Sequence, residues 1–403
     1  MKILLLDTVH GGGVLGDLYP KKDDSVTCVD VYKVTPEEEL LRLRNKGCSV
    51  CREVPPGEYD LVLMPVHCPD SFLEGVTYGE RKFFSQAVGE LIENNRFRIE
   101  VTGVKGKTSF CGLLAHVLTV AGNKVLLHSS KGRGFWENGK LSHGEKVSIA
   151  PPHMLTVPSE GYDIFICEVS LGGSGKADIA CITNLLEDYP IAANTRKASD
   201  GKKEILSETN VVPSGEVDFW KTFGKGEVTG YGNRTKILNN PGLGESLRIR
   251  VDYGEGFEVS LRSGYLAREY VDAIEMTVTV CDLMNIPTEA LKEALYTFKG
   301  MEGRGEVYRD NGRWVVKERN PGISLHSVER TYETLKGMNA LNNAVAVLDP
   351  VSRKVCDKLD ANAIIEISRE YGVELIVTDG SGIMPDIPDT DGPLILFVKE
   401  GYT

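Results

Sequence analysis

Short apolar runs alternate with amphipathic stretches along this chain. Runs at residues 3–7, 26–32 and 61–65 read as buried strands, and a charged segment at 36–46 and a second at 83–95 read as helices. A strand at 97–101 precedes a segment in which Cys111, Leu113, Leu114, Val117 and Leu118 recur at helical spacing from Thr108 onward. Further strands are predicted at 124–130, 162–169 and 178–183, with a helical turn at 200–205. Glycine-rich links between strands at 247–251 and 257–261 predict antiparallel pairing, and helices follow at 266–283 and 288–298. Past a hinge-like link at 300–306, residues 307–318 read as a hairpin turned at Asp310-Asn311-Gly312. Strands at 344–348, 375–378 and 394–398 alternate with helices after it. The pattern predicts an α/β protein with mostly parallel sheets in three units, at 1–97, 98–302 and 303–403.

Composition changes this picture little. At 403 residues the chain exceeds what one hydrophobic core usually supports, and 41% apolar with 26% charged residues is ordinary for a globular protein. A net charge of −12 argues against nucleic acid or an anionic membrane as partner. No run of eighteen apolar residues and no basic-then-apolar leader occurs, so a cytoplasmic protein is expected. Nine cysteines, several inside apolar runs, suit reduced core thiols. Cys48-Ser49-Val50-Cys51, with His67-Cys68 further on, leaves a structural zinc site open, although two thiols beside a strand is the favoured reading.

The stretch carrying the most chemistry is Gly103-Val104-Lys105-Gly106-Lys107-Thr108-Ser109, placed between a strand and a helix. That geometry wraps backbone N–H groups around phosphates, with Lys107 reaching the β/γ oxygens and Thr108 offering its hydroxyl to Mg²⁺. The loop is a short form, G-x-x-G-K-T, with Val101 where the usual first glycine would stand. Glu168 ends a buried apolar strand, which is costly unless a cation or donors meet it; Mg²⁺ is the simplest such cation beside a bound nucleotide. Upstream, Asp7-Thr8-Val9-His10-Gly11-Gly12-Gly13 follows the first strand, where a ligand can approach the backbone closely. His10, Gly11, Gly12 and His67 are candidate substrate contacts; an ordinary turn with loop histidines is the alternative. Lys131-Gly132-Arg133-Gly134-Phe135-Trp136 reads as a loop whose Lys131, Arg133 and Trp136 could grip an anionic, flat substrate.

The series Gly103 to Thr108, Glu168-Val169-Ser170, Thr183-Asn184 with Asp188, Lys202 with Ile205, and Gly303-Arg304 with Glu306 resembles the Mur ligase family over roughly residues 98–403. The resemblance implies a three-domain ligase, with an N-terminal substrate-binding domain at 1–97, a central P-loop ATPase domain at 98–302 and a C-terminal Rossmann-like domain at 303–403. It implies the use of ATP and Mg²⁺, with a substrate carboxylate becoming an acyl phosphate that a nucleophile captures. It implies that Glu168 is a magnesium carboxylate and that Lys202 is the lysine often carbamylated to ligate a second Mg²⁺, with Lys203 competing. It also implies that Asn184, Arg304 and Asn320 serve the nucleotide. There are departures. Asp188-Tyr189 replaces Asp-His, which puts the second metal in doubt, and Arg268-Glu269-Tyr270 replaces the adenine-side His-Asn. Of a six-residue motif at 316–321 only Asn320 and Pro321 survive, and no uridine-diphosphate pocket is recognisable in 1–97.

Within the family, Leu6 to Gly12 and Val66-His67-Cys68-Pro69 look most like a branch from methanogenic archaea. That likeness implies a nickel tetrapyrrole polycarboxylate as substrate, closed into a carbocycle through an activated propionate. An amide ligase acting on a pseudomurein peptide precursor and a P-loop regulatory protein remain alternatives.

Overall fold

The structure is a computed structural model that describes residues 1–19, 24–93, 96–186, 188–319, 323–350 and 360–398. The chain divides into two compact units, one of residues 1–111, 122–137 and 141–232, the other of 112–121, 138–140 and 233–403.

The first unit holds two sheets. In the first, β1 (Lys2–Leu6), β2 (Ser25–Val29), β3 (Ser49–Cys51), β4 (Gly57–Met64) and β5 (Val76–Phe83) run in the order β3-β2-β1-β4-β5, all parallel. Strand β1 is apolar on both faces because both are covered: Ile3 and Leu5 pack with Cys28, Leu43 and Phe84, and Leu4 and Leu6 pack with Val29, Val62 and Met64. Helices α1 (Gly13–Leu18), α2 (Glu37–Asn45) and α3 (Phe84–Leu91) accompany this sheet. Cys48 belongs to one of the two cores and Cys51 packs against the other, so the C-x-x-C thiols face opposite sides of the sheet. They are separate core thiols, and a shared metal between them is ruled out by the pleat.

The second sheet is built around β6 (Phe97–Thr102), which lies between β10 (Ile164–Glu168) and β11 (Ile179–Ile182), parallel to both. Beyond β10 lie β7 (Val125–Ser129), β8 (Gly132–Glu137) and β9 (Lys140–Glu145); beyond β11 lie strands Thr209–Pro213 and Glu227–Tyr231. Helix α4 (Lys107–Val120) leaves the C-terminal end of β6, and the chain crosses to opposite sides of β6 from there, which opens a crevice at that end.

The second unit contains an antiparallel sheet of Thr235–Ile237, Arg248–Val251 and Phe257–Ser260, with helices Val271–Leu283 and Thr288–Thr297. It also contains a five-stranded sheet in which the hairpin Glu306–Asp310/Arg313–Arg319 joins parallel strands Leu394–Val398, Val345–Leu348 and Glu374–Val377. Asn311 and Gly312 both take positive φ (47° and 84°), the turn that matches the twist of a hairpin. Among the described residues no helix is long and apolar enough to cross a membrane.

The α/β fold class with mostly parallel sheets is as the sequence predicts. Several strands escaped the hydrophobic pattern, β5 and β8 among them. Strand β5 is an edge strand exposed through most of its length, so its sequence VTYGERKF carries little apolar signal. Strand β8 lies in the segment expected to be a loop. A Cβ on its Gly134 would sit 2.2 Å from the Ser142 carbonyl oxygen, so the glycine permits close strand approach.

A buried ion pair ties β6 to the segment preceding β11. Arg98 Nε donates to Glu100 Oε1 at 2.8 Å, Glu100 Oε2 accepts from Ser174 N at 2.7 Å, and Arg98 also reaches the Lys176 carbonyl at 2.8 Å. Removing one partner leaves the other charge buried, so Glu100→Ala is expected to cost about 3–5 kcal/mol in denaturant unfolding. A loss under 1 kcal/mol would show that the pair does not hold this sheet.

Candidate active site

The glycine loop follows from β6 and is propped from the neighbouring strand. Val104 N donates to the Asn184 carbonyl at 3.0 Å and Lys105 N to Asn184 Oδ1 at 3.0 Å, while Thr183 Oγ1 and Asn184 Nδ2 donate to the Lys105 carbonyl. Gly103 takes φ +139°, and a Cβ there would lie 2.0 Å from Thr183 Oγ1. Only glycine fits that position. Asn184, expected at the nucleotide, is therefore a strut beneath the loop.

Two ammonium groups converge on this turn. Lys107 Nζ donates to the Gly103 carbonyl at 3.0 Å, and Lys202 Nζ donates to the same oxygen at 2.9 Å and to the Ser170 carbonyl at 3.3 Å. Lys202 is fully buried and lies at the end of α5 (Ala198–Lys202). Lys203, its competitor, is half-exposed, 3.5 Å from Asp200, with its ammonium over the Phe223 ring. Asp188 accepts from Ser199 N and Oγ, both at 2.7 Å, fastening the start of α5.

Glu168, at the end of β10, accepts from Thr108 Oγ1 at 2.9 Å and from Ser130 N at 3.0 Å. A buried hydroxyl and a buried carboxylate side by side at the first turn of a helix are hard oxygen donors of the kind Mg²⁺ takes. The first N–H groups of α4 have no intrahelical acceptor and suit phosphate oxygens. These residues fit a magnesium-bound nucleotide. Ser109 lies in the same first turn, half-buried, and Gly106 is exposed.

The expected aromatic–cationic grip at Lys131, Arg133 and Trp136 is corrected by the fold. Arg133 and Trp136 are buried in β8. The Arg133 guanidinium donates to the Thr156 carbonyl at 3.1 Å, to Thr156 Oγ1 at 3.0 Å and to the His153 carbonyl at 2.6 Å. It pins a neighbouring turn.

His10, Gly11, Gly12 and His67 do come together at the end of the first sheet. His10 Nδ1 lies 2.6 Å from Asp7 Oδ2, and the His10 and His67 ring centroids are 4.7 Å apart. Asp7, Tyr32 and Cys68 complete this cluster; the sequence reading brings in Cys68 only through the zinc option beside Cys48 and Cys51, and gives Asp7 and Tyr32 no role. The signal for Asp7 was present all the same: a carboxylate ending a buried strand, the argument that picked out Glu168. Arg196, just before α5, donates to the Val66 and Cys68 carbonyls at 3.0 and 2.8 Å. Gly201, beside Lys202, faces Val66 so closely that a Cβ would lie 2.9 Å from Val66 Cγ1. The histidine loop and the phosphate loop thus share α5 as a common support.

In the second unit, Arg304 N donates to the Met301 carbonyl and its own carbonyl accepts from Tyr270 Oη, both at 3.0 Å. Burial pushes Glu318 and Glu269 well above the usual carboxylate range; Glu269 raises Glu318 further, and Arg304 and Arg330 offset part of this. Asn320 lies outside the described residues.

No family model matches the chain. It is similar to the coenzyme F(430) synthetase of Methanosarcina acetivorans, 27% identical over 420 residues covering 93% of this chain and 88% of that protein. It is also similar to the coenzyme F(430) synthetase of Methanocaldococcus jannaschii, 25% identical over 396 residues covering 93% and 89%. Among solved structures, the UDP-N-acetylmuramate–alanine ligase of Thermotoga maritima matches with a TM-score of 0.52 and 14% identity, covering 100% of this chain and 96% of that one. The fold is that of the Mur ligases, and the resemblance read from the motifs is borne out in sequence and in structure.

Glu318 and Glu269 set a pH dependence. Their raised values mean that the folded state keeps protons the unfolded state has released. Stability is then full below the ordinary glutamate pKa of about 4.3 and is lost as pH rises through neutrality. Glu318→Gln is expected to flatten the fall in thermal midpoint between pH 5.5 and 8.5; a profile parallel to the native one would contradict the assignment.

Proposed function

We propose that this chain is an ATP-dependent ligase of the coenzyme F(430) synthetase kind, activating a carboxylate of a nickel tetrapyrrole as an acyl phosphate and closing a carbocyclic ring. The observation that carries the proposal is the convergence of Lys107 and Lys202 on the Gly103 carbonyl, beside the Thr108–Glu168 pair. Similarity to two coenzyme F(430) synthetases over 93% of the chain supports the substrate class. The end of the first sheet at Phe83, the start of the second at Phe97 and the start of the C-terminal sheet at Glu306 support a division into domains at 1–97, 98–302 and 303–403.

The chemistry asked of these residues is charge neutralisation. A carboxylate and a triphosphate repel, and bringing them into line needs fixed cations in a site closed to water. The loop N–H groups and Lys107 hold the β- and γ-phosphates. Thr108 and Glu168 would hold Mg²⁺, which when bound neutralises phosphate charge. A substrate carboxylate oxygen then bonds to the γ-phosphorus as the bond to the β-phosphate oxygen breaks and ADP leaves. A carbon of the same substrate adds to the acyl carbon, phosphate departs with the C–O electrons, and the carbon's proton is released. Lys202, unable to leave its burial, keeps the Gly103 turn and the Ser170 carbonyl in register through both steps.

Purified protein mixed with a nickel tetrapyrrole bearing a free propionate is expected to change its visible spectrum and release phosphate only when ATP and Mg²⁺ are both present. Lys107→Ala is expected to lower that rate by about 10²–10³-fold, the usual loss on deleting one preorganised charge-stabilising group. Lys202→Met should lose at least an order of magnitude while Lys203→Met stays near native. Equal losses for the two lysines would contradict the assignment of Lys202.

A further inference from the structure

The ends of β1 and β4, adjacent parallel strands, bring Asp7, His67 and Cys68 together. One oxygen, nitrogen or sulfur from each lies within 4.8 Å of the others. Asp7 and Cys68 are fully buried and His67 partly so. His67 Nε2 is 3.3 Å from Asp7 Oδ2 yet has no hydrogen-bond partner, so a buried nitrogen is aimed at a carboxylate without bonding to it. A satisfied core histidine would not be left so.

The surroundings are those of a built centre. Asp7 adopts a left-handed backbone (φ 70°), uncommon for an aspartate, and its Oδ1 is fixed by Val9 N at 2.9 Å and His10 N at 3.1 Å. His10 Nδ1 sits 2.6 Å from Oδ2. The Tyr32 hydroxyl lies 3.6 Å from Cys68 Sγ, and the Tyr32 ring stacks on His67 with centroids 6.1 Å apart. Arg196 braces the 66–68 loop through two carbonyls and also pairs with Asp70. Each prospective ligand thus has an outer partner that orients it, as metal ligands do.

We propose that Asp7, His67 and Cys68 form a binding site for a divalent transition-metal ion, with a fourth position left open. One carboxylate oxygen, one imidazole nitrogen and one thiolate sulfur select zinc, cobalt or nickel over magnesium or calcium. Three ligands clustered on one side suit a bare ion; a metal already held by four ring nitrogens offers one axial position on a given face. The site is thus distinct from the tetrapyrrole's own metal and does not rest on the ligase reading.

The test is titration of the chelator-stripped full chain with Co²⁺, followed by absorbance. One equivalent should bind, with a thiolate-to-cobalt charge-transfer band and visible d–d bands, and Zn²⁺ should displace it. Cys68→Ser should abolish the charge-transfer band, and Cys48→Ser, whose thiol packs in the core on the other face of the sheet, should leave it intact. His10→Ala should weaken binding by about 10–100-fold, the usual loss when an outer partner of a ligand is removed. Asp7→Asn could disturb the strained turn, so His67→Ala, at the partly exposed rim, is the decisive ligand variant, with circular dichroism confirming its fold. Failure to saturate at one equivalent, a charge-transfer band that survives Cys68→Ser, or native affinity in folded His67→Ala would overturn the proposal.

Discussion

A single backbone carbonyl, that of Gly103, accepts from two lysines that reach it from different elements. Lys107 comes from the start of α4 and Lys202 from the end of α5, so the glycine turn is held from both ends. Lys202 has no solvent to retreat to. Two like charges this close are tolerated at low cost only where negative charge is to arrive, and in a site shielded from water they weigh more than at the surface. The rest of the phosphate end follows. Asn184 and Thr183 brace the loop from below, and Glu168 takes the Thr108 hydroxyl beside it.

Much of this was legible in the sequence. A glycine loop between strand and helix, a carboxylate closing an apolar strand and a lysine on a short helix each have a local signature, and each lies where that signature puts it. Lys202 and Lys203 look alike on a helical turn, and the resemblance favours Lys202; the fold adds that Lys202 is buried and Lys203 partly exposed. The Arg133–Trp136 segment misled for a physical reason. Glycines, cations and aromatics read as a ligand loop, but the glycines there make room for a neighbouring strand and the guanidinium is committed to carbonyls. Strand β5 was invisible because an exposed edge strand needs no apolar face.

The first unit uses one device twice. At the ends of β1 and β10 a carboxylate closes a buried strand and is satisfied by donors: Asp7 by Val9 and His10 in the following turn, Glu168 by Thr108 at the start of α4 and Ser130 just past β7. Burial alone would raise Asp7, but its bond to His10 and the nearby His67 ring outweigh this and hold it down at about 2, so the group stays charged at physiological pH. Both carboxylates sit where parallel sheets present ligands. The short α5 segment carries Lys202 on one side and, through Arg196 and Gly201, supports the histidine loop on the other. Helix position, charge placement and loop register are therefore coupled through a few residues between 196 and 202.

The ligase assignment turns on whether a substrate carboxylate takes up the terminal phosphoryl group. The direct measurement is a single turnover with a tetrapyrrole whose propionate carries ¹⁸O, followed by mass analysis of the inorganic phosphate released. Acyl-phosphate formation requires one labelled oxygen in each phosphate; phosphate free of label would contradict it.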